Sequence, residues 1–232
     1  IAAAKRYGKP VDGHAPGLVG EERRRYAAAG ISTEHECVTL EEARACVEAG
    51  MIVQIREGSA AKNYEALIPL LKEYPDKVMF CTDDCHPDDL IRGHINRIVA
   101  RTIGDGYNLW DILQAVCVTP QRHYHLSWGL LHEGDAANFI AVNNLSSHFR
   151  VLLTVVKGKE VYNCNSFLST IQSQAKSINN QMAILDNYPN RFLATPITAD
   201  DIHLPIQSGD TVRIIHAFDG SLLTKNEEVL VT

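Results

Sequence analysis

His14 in "VDGHAPG", His35 in "TEHEC" and Asp83 in "VMFCTDDCHPDDL" each stand where an apolar run breaks into polar residues. Two imidazoles and a carboxylate suit Zn²⁺, Mn²⁺ or Fe²⁺ and leave coordination room for water. A cation so held acidifies that water towards neutrality, which makes a hydroxide nucleophile. Asp83 ends its apolar run directly, so it is the better ligand and also the better base. It can take the proton and later return it to a leaving amine. Glu57, in "IREGSAAKN", is a second carboxylate that could bind or protonate a ring nitrogen, and Arg56 beside it is a further candidate for substrate binding. Asp84 and His86 follow Asp83 and suit substrate contacts or support of the ligands. A single histidine at a strand end reads equally well as a hydrogen-bonded structural residue; recurrence at successive strand ends is what points to a site.

The elements that must carry these residues repeat with one rhythm. A strand at 9–15 precedes a helix near 18–29, and a strand at 30–37 precedes a helix at 39–50. In that helix Thr39 and Glu42 form a capping box and Gly50 closes the end. A β-branched strand at 51–59 leads to a helix around 62–74. The last strand, 77–84, leads to helices near 87–104 and 108–118. Strands alternating with helices of about a dozen residues predict parallel β/α units with right-handed crossovers. In each unit the chemically capable residues end the strand, as in a (β/α)₈ barrel. An open doubly wound sheet also binds ligands there, but no glycine-rich phosphate loop follows any strand. The predicted fold class is therefore α/β, with four of a barrel's eight units present.

The texture changes after residue 126. Short strands with Gly and Asn turns predict a small β-sandwich segment over 127–164. Residues 165–195 carry one helical pattern, and 196–232 return to short strands. The predicted organisation is 1–126, 127–164 and 165–232, the last a linker helix with the beginning of a further α+β domain.

Composition narrows the partners. Net charge is −6, and the one basic run, Arg23–Arg25, follows Glu21 and Glu22. Such a chain offers no row of cations for phosphates, so a nucleic-acid partner is not expected. No apolar stretch approaches the roughly 20 residues that span a bilayer, and the opening residues lack a signal-peptide core. Six cysteines without zinc-finger spacing read as reduced thiols, and the expected location is cytoplasmic.

"VDGHAPGL", "TEHEC", "IREGSAAKN" and "FCTDDCHPDDL" together resemble the bacterial adenine deaminases of the amidohydrolase superfamily. "TPQRHYHL" and "GLLHEGDAANFIAVNNL" fit the same pattern, and the likeness runs from residue 1 to about 162. "ITADDI…GDTVRII…LLT" resembles the beginning of that family's C-terminal domain. The resemblance implies the C-terminal half of a metal-dependent (β/α)₈ TIM barrel that hydrolyses adenine to hypoxanthine and ammonia, in a homo-oligomer such as a dimer. It implies a metal pair, manganese or iron with zinc accommodated. His14, His35 and Asp83 would end strands 5, 6 and 8, the first two as ligands and Asp83 as ligand and proton shuttle. Glu57 would end strand 7 and face the purine. The superfamily's His-x-His pair on strand 1 and the bridging Glu on strand 4 have no counterpart here, and both would lie upstream of Ile1. The chain is thus expected to be a fragment that alone binds metal weakly and has little activity. Other readings are an amidohydrolase of cyclic amides, dihydroorotase- or imidazolonepropionase-like, and a non-catalytic split half.

Overall fold

The structure is a computed structural model that describes residues 1–166 and 194–232. It divides into two compact units, Ile1–Asn163 and Cys164–Thr232. In chain order the first unit contains α1 (Ala2–Arg6), α2 (Gly20–Ala28), β1 (Thr33–Glu34), α3 (Leu40–Glu48) and β2 (Ile52–Arg56). Next come α4 (Tyr64–Leu67), α5 (Leu70–Glu73), β3 (Val78–Cys81), α6 (Pro87–Arg92), α7 (Ile95–Gly104), α8 (Leu109–Leu113) and α9 (Thr119–His123). Three further strands close it: β4 (Phe139–Val142), β5 (Val151–Val156) and β6 (Lys159–Asn163).

β1, β2 and β3 form a parallel sheet in that order, with Glu34 opposite Val53 and Arg56 opposite Cys81. Side chains alternate between faces along a strand. Val53, Ile55, Val78 and Phe80 enter the core with Ala43, Cys46 and Val47 of α3, Leu67, Leu70 and Leu71 of α4–α5, Ile98 of α7 and Ile112 of α8. Gln54 and Met79, paired across β2 and β3, alternate to the opposite face. There Gln54 Nε2 donates to the Tyr124 hydroxyl (2.9 Å), which donates to Asp12 (3.0 Å). The residues at the end of α9 therefore cross this second face, and the sheet is covered on both sides.

Local chemistry explains most element ends. Thr39 Oγ1 accepts from the Glu42 N–H (3.2 Å) while Glu42 accepts from the Thr39 N–H (3.2 Å), so α3 starts on the predicted capping box. α1 ends in a Schellman arrangement: the Lys9 N–H reaches the Ala4 carbonyl (2.9 Å) over Gly8, whose φ is +63°. The helix expected over 62–74 is divided into α4 and α5. A π-helical turn, Gln114–Val118, joins α8 to α9, because Pro120 has no N–H to continue the regular ladder.

The segment 9–15 is not a regular strand, contrary to the sequence reading. It runs beside β1 through one backbone bond, Ser32 N–H to the Val11 carbonyl (2.9 Å), and then through side chains. The Gly13 N–H donates to Thr33 Oγ1 (3.1 Å), and that hydroxyl donates to Asp12 (2.8 Å). The cause is close approach at Gly13. A Cβ there would stand 2.4 Å from the Thr33 carbonyl oxygen and 2.6 Å from an Ile31 methyl.

β4, β5 and β6 make a single antiparallel sheet with β5 in the centre. Lys157 (φ +50°) and Gly158 (φ +74°) form the two-residue turn from β5 to β6, the geometry that matches strand twist. In the second unit, β7 (Thr211–Ala217) and β8 (Thr224–Leu230) form an antiparallel hairpin. The helical pattern read over 167–185 lies outside the described residues.

Candidate metal centre

Four chain segments converge at the C-terminal ends of the parallel strands. The segment 9–15 brings His14, whose backbone N–H donates to the Tyr26 hydroxyl of α2 (2.9 Å). The residues after β1 bring His35 and Glu36. The end of β2 brings Arg56, and the turn after β3 brings Asp83.

His14 Nδ1 and His35 Nε2 each lie 3.3 Å from the same atom, Glu36 Oε1. The two imidazoles meet edge to face with centroids 5.4 Å apart. One ligand atom from each of the three residues falls within 4.8 Å of the other two. Two imidazoles and a carboxylate at this separation fit a divalent cation of the borderline class, so the donor set suits the metal that the sequence pattern suggests. His14 is open to solvent (65% exposed) while Glu36 is largely enclosed (9%), which gives the cluster a wet side and a protein side.

Asp83 stands beside this cluster and is reached through Arg56. The Arg56 side chain is only 5% exposed; its Nη1 donates to Glu36 (2.5 Å) and to Asp83 Oδ2 (2.8 Å), and its Nη2 to Glu36 (3.1 Å). Burial opposes the charge on Arg56, but Glu36 and then Asp83 more than offset it, so its pKa is raised. Asp83 itself has φ +56°, a left-handed conformation rare outside glycine, and is 37% exposed. Its backbone is held in a strained region in the turn after β3.

Two residues that sequence reasoning passed over complete the scaffold. Asn63 accepts from the Arg56 N–H (2.7 Å) and donates to the carbonyls of His35 and Cys37 (3.1 Å each). It therefore locks the β1 exit to the end of β2. Glu34 is buried (2% exposed); one oxygen accepts from the Glu36 N–H (2.6 Å) and the other has no partner among the described residues. The signal for Glu36 was present in its adjacency to His35. Nothing local marks Asn63, whose role depends on tertiary placement.

The remaining candidates lie elsewhere. Glu57 pairs with Arg101 of α7 (3.3 Å) and lines a cavity of about 230 Å³ with Lys62, Thr82, His94 and Arg97. None of His14, His35, Glu36, Arg56 or Asp83 lines that cavity. Asp84 is exposed, and its carbonyl accepts from the Ser59 N–H (3.0 Å). His86 is the exposed N-cap of α6, and its N–H donates to the Ser59 hydroxyl (2.8 Å). Ser59 in turn donates to Asp89 (2.6 Å), which lowers the Asp89 pKa. Arg56 faces the two carboxylates with its Nη atoms rather than standing free at the mouth. Burial pushes the Cys81 thiol up to about 12, so it is a packed, protonated group at neutral pH.

The chain is 48% identical over its whole length to an adenine deaminase of Salinibacter ruber, of which it covers 40%. It is 42% identical to an adenine deaminase of Methanosarcina mazei, with 99% of this chain and 41% of that protein aligned. A third, from Parabacteroides distasonis, is 43% identical across 98% of the chain and 39% of the relative. The chain thus spans about 40% of the length of these curated relatives. Among solved structures, a beta-aspartyl dipeptidase from Fervidobacterium islandicum AW-1 in complex with a beta-Asp-Leu dipeptide superposes with TM-score 0.52 at 18% identity. That match covers 70% of this chain and 50% of the dipeptidase, and it speaks to fold alone. No described helix is long and apolar enough to cross a membrane. The sequence profile of the amidohydrolase family matches residues 1–161, and the chain belongs to that family.

Proposed function

We propose that this chain is the part of a metal-dependent adenine deaminase that carries His14, His35 and Asp83, and that the whole protein hydrolyses adenine to hypoxanthine and ammonia. The observation that carries the reading is the convergence of His14 and His35 on Glu36, with Asp83 at the neighbouring strand end. The full-length identity to relatives named adenine deaminase supports the substrate. In this reading β1, β2 and β3 are strands 6, 7 and 8 of a (β/α)₈ barrel, and the segment 9–15 occupies the place of strand 5. Residues 1–126 are barrel, 127–164 a small β domain, and 165–232 a linker with the beginning of a C-terminal domain.

His14 and His35 would hold a divalent cation, Mn²⁺ or Fe²⁺ in a pair with Zn²⁺ accommodated, and Asp83 would join them. Such a cation supplies Lewis-acid chemistry at the purine. The chain's own residues do the rest. Asp83 accepts a proton from the attacking water and delivers it to the departing nitrogen, so that C6 gains oxygen and ammonia leaves. Glu57 addresses a ring nitrogen, while Asp84 and His86 line the substrate's path. Arg56 holds Asp83 and Glu36 through its guanidinium. The protein is proposed to work as a homo-oligomer in the cytoplasm.

Asp83→Asn tests this directly. The intact protein should lose ammonia release from adenine by at least about a hundredfold, the scale of a general acid–base contribution. Turnover near the wild-type rate, or turnover of a cyclic ureide in place of adenine, would overturn the assignment.

A further inference from the structure

We propose that Arg56 is a positioning residue that fixes both carboxylates of the centre and so determines how tightly the centre takes up metal. The inference rests on the reading of His14, His35 and Asp83 as metal ligands. Arg56 is the last residue of β2, so its backbone is committed to the sheet, opposite Cys81. Its N–H is further tied by Asn63, which also holds the carbonyls on either side of Glu36. The side chain therefore leaves a rigid base.

From that base the guanidinium reaches two carboxylates on two other segments. It grips Glu36 with both Nη atoms and Asp83 with one, through Oδ2 alone. Asp83 Oδ1 is not engaged by Arg56, so it is the oxygen available to a cation or a proton. A planar fork with fixed donors can impose this three-way geometry; a point charge on a flexible stem cannot. A third carboxylate adjoins Glu36: Glu34 accepts from the Glu36 N–H (2.6 Å), and its other oxygen is buried without a partner among the described residues. Without the guanidinium, Glu36 and Asp83 would repel one another and turn from the imidazoles. Partners that orient ligands in this way characteristically change metal affinity by 10- to 100-fold.

The test uses the intact protein with Arg56→Lys and, separately, Arg56→Gln. The lysine keeps the charge and loses the fork; the glutamine loses both and leaves every proposed ligand in place. Bound Mn²⁺ is measured by elemental analysis and by competition titration, and the Co²⁺-loaded protein is examined by visible absorption. Near-UV circular dichroism reports folding. Arg56→Lys should weaken Mn²⁺ at least tenfold and shift the Co²⁺ bands. It should also lower kcat with KM within threefold of wild type. Arg56→Gln should move affinity the same way by at least as large a factor. If Arg56→Lys fails to fold, an unchanged Mn²⁺ affinity in folded Arg56→Gln overturns the proposal and a weakened one supports it. A wild-type protein that loads metal normally beside unchanged variants overturns the role of Arg56 alone. A wild-type protein that takes up no Mn²⁺, Fe²⁺ or Zn²⁺ overturns the metal-centre reading and this one with it.

Discussion

Glu36 Oε1 is met by His14, His35 and Arg56 at once, and this makes the neighbouring loops exacting. His14 reaches that oxygen only because Gly13 brings the chain against β1, with no room for a side chain. Adding a methyl group there forces the Thr33 carbonyl or Ile31 to move, since real contacts do not fall to 2.4 Å. Gly13→Ala should therefore destabilise the first unit by about 1–3 kcal/mol, the usual consequence of overpacking. It should also displace His14 from Glu36. The denaturation midpoint in urea measures the first effect and Mn²⁺ affinity the second. A midpoint equal to wild type would mean that the loop relaxes freely and that the close approach is not a constraint.

At the scale of elements, α9 and the residue after it deserve the next test, because they seal the second face of the sheet. His123 is buried against Ser32, with Nε2 3.5 Å from its hydroxyl. Burial lowers its pKa below the ordinary 6.5, only partly opposed by Asp12. A histidine depressed in the folded state stays neutral there while the unfolded chain binds the proton. Stability is thus intact above about pH 6.5 and is lost as pH falls from that value through the folded pKa. His123→Gln should reduce this loss, so the gap in urea midpoint between variant and wild type should change between pH 7.5 and 5.5 in the variant's favour. A constant gap would show that His123 does not titrate with folding. The sequence foreshadowed the elements unevenly, for physical reasons. β2 and β3 are apolar, β-branched runs, and α3 carries a capping box, so both kinds of element could be read locally. The segment 9–15 could not, because Pro10 and Gly13 limit its pairing while tertiary contacts still hold it in line. The π-helical turn between α8 and α9 follows from Pro120, whose effect on the ladder depends on the helix running on from α8. His14, His35 and Asp83 could be picked out because strand ends are where such folds place chemistry. That Arg56 joins two carboxylates could not be seen, because it depends on the register that sets Arg56 opposite Cys81.

For the whole molecule, the arithmetic of donors sets the final expectation. This chain brings two imidazoles and Glu36 within 4.8 Å of one another, Asp83 is joined to Glu36 through Arg56, and Arg56 already occupies part of both carboxylates. A single cation of four or more coordination positions can be held by that set, with solvent completing the shell on the exposed side of His14. A pair of cations needs more donors than one such cluster provides. The chain spans about 40% of its relatives' length, and on the proposed reading a second set of donors would come from outside these 232 residues. Isolated chain should therefore bind no more than one Mn²⁺, at least tenfold more weakly than the intact protein, and release no measurable ammonia from adenine. Titration of both proteins with Mn²⁺, with stoichiometry by elemental analysis, gives the comparison. Dialysis of the intact protein against a chelator should abolish deamination, and added Mn²⁺ should restore it. Two tightly held cations in the isolated chain would require donors beyond the cluster at His14, His35 and Glu36. The inference that the barrel's two halves share the centre would then be wrong.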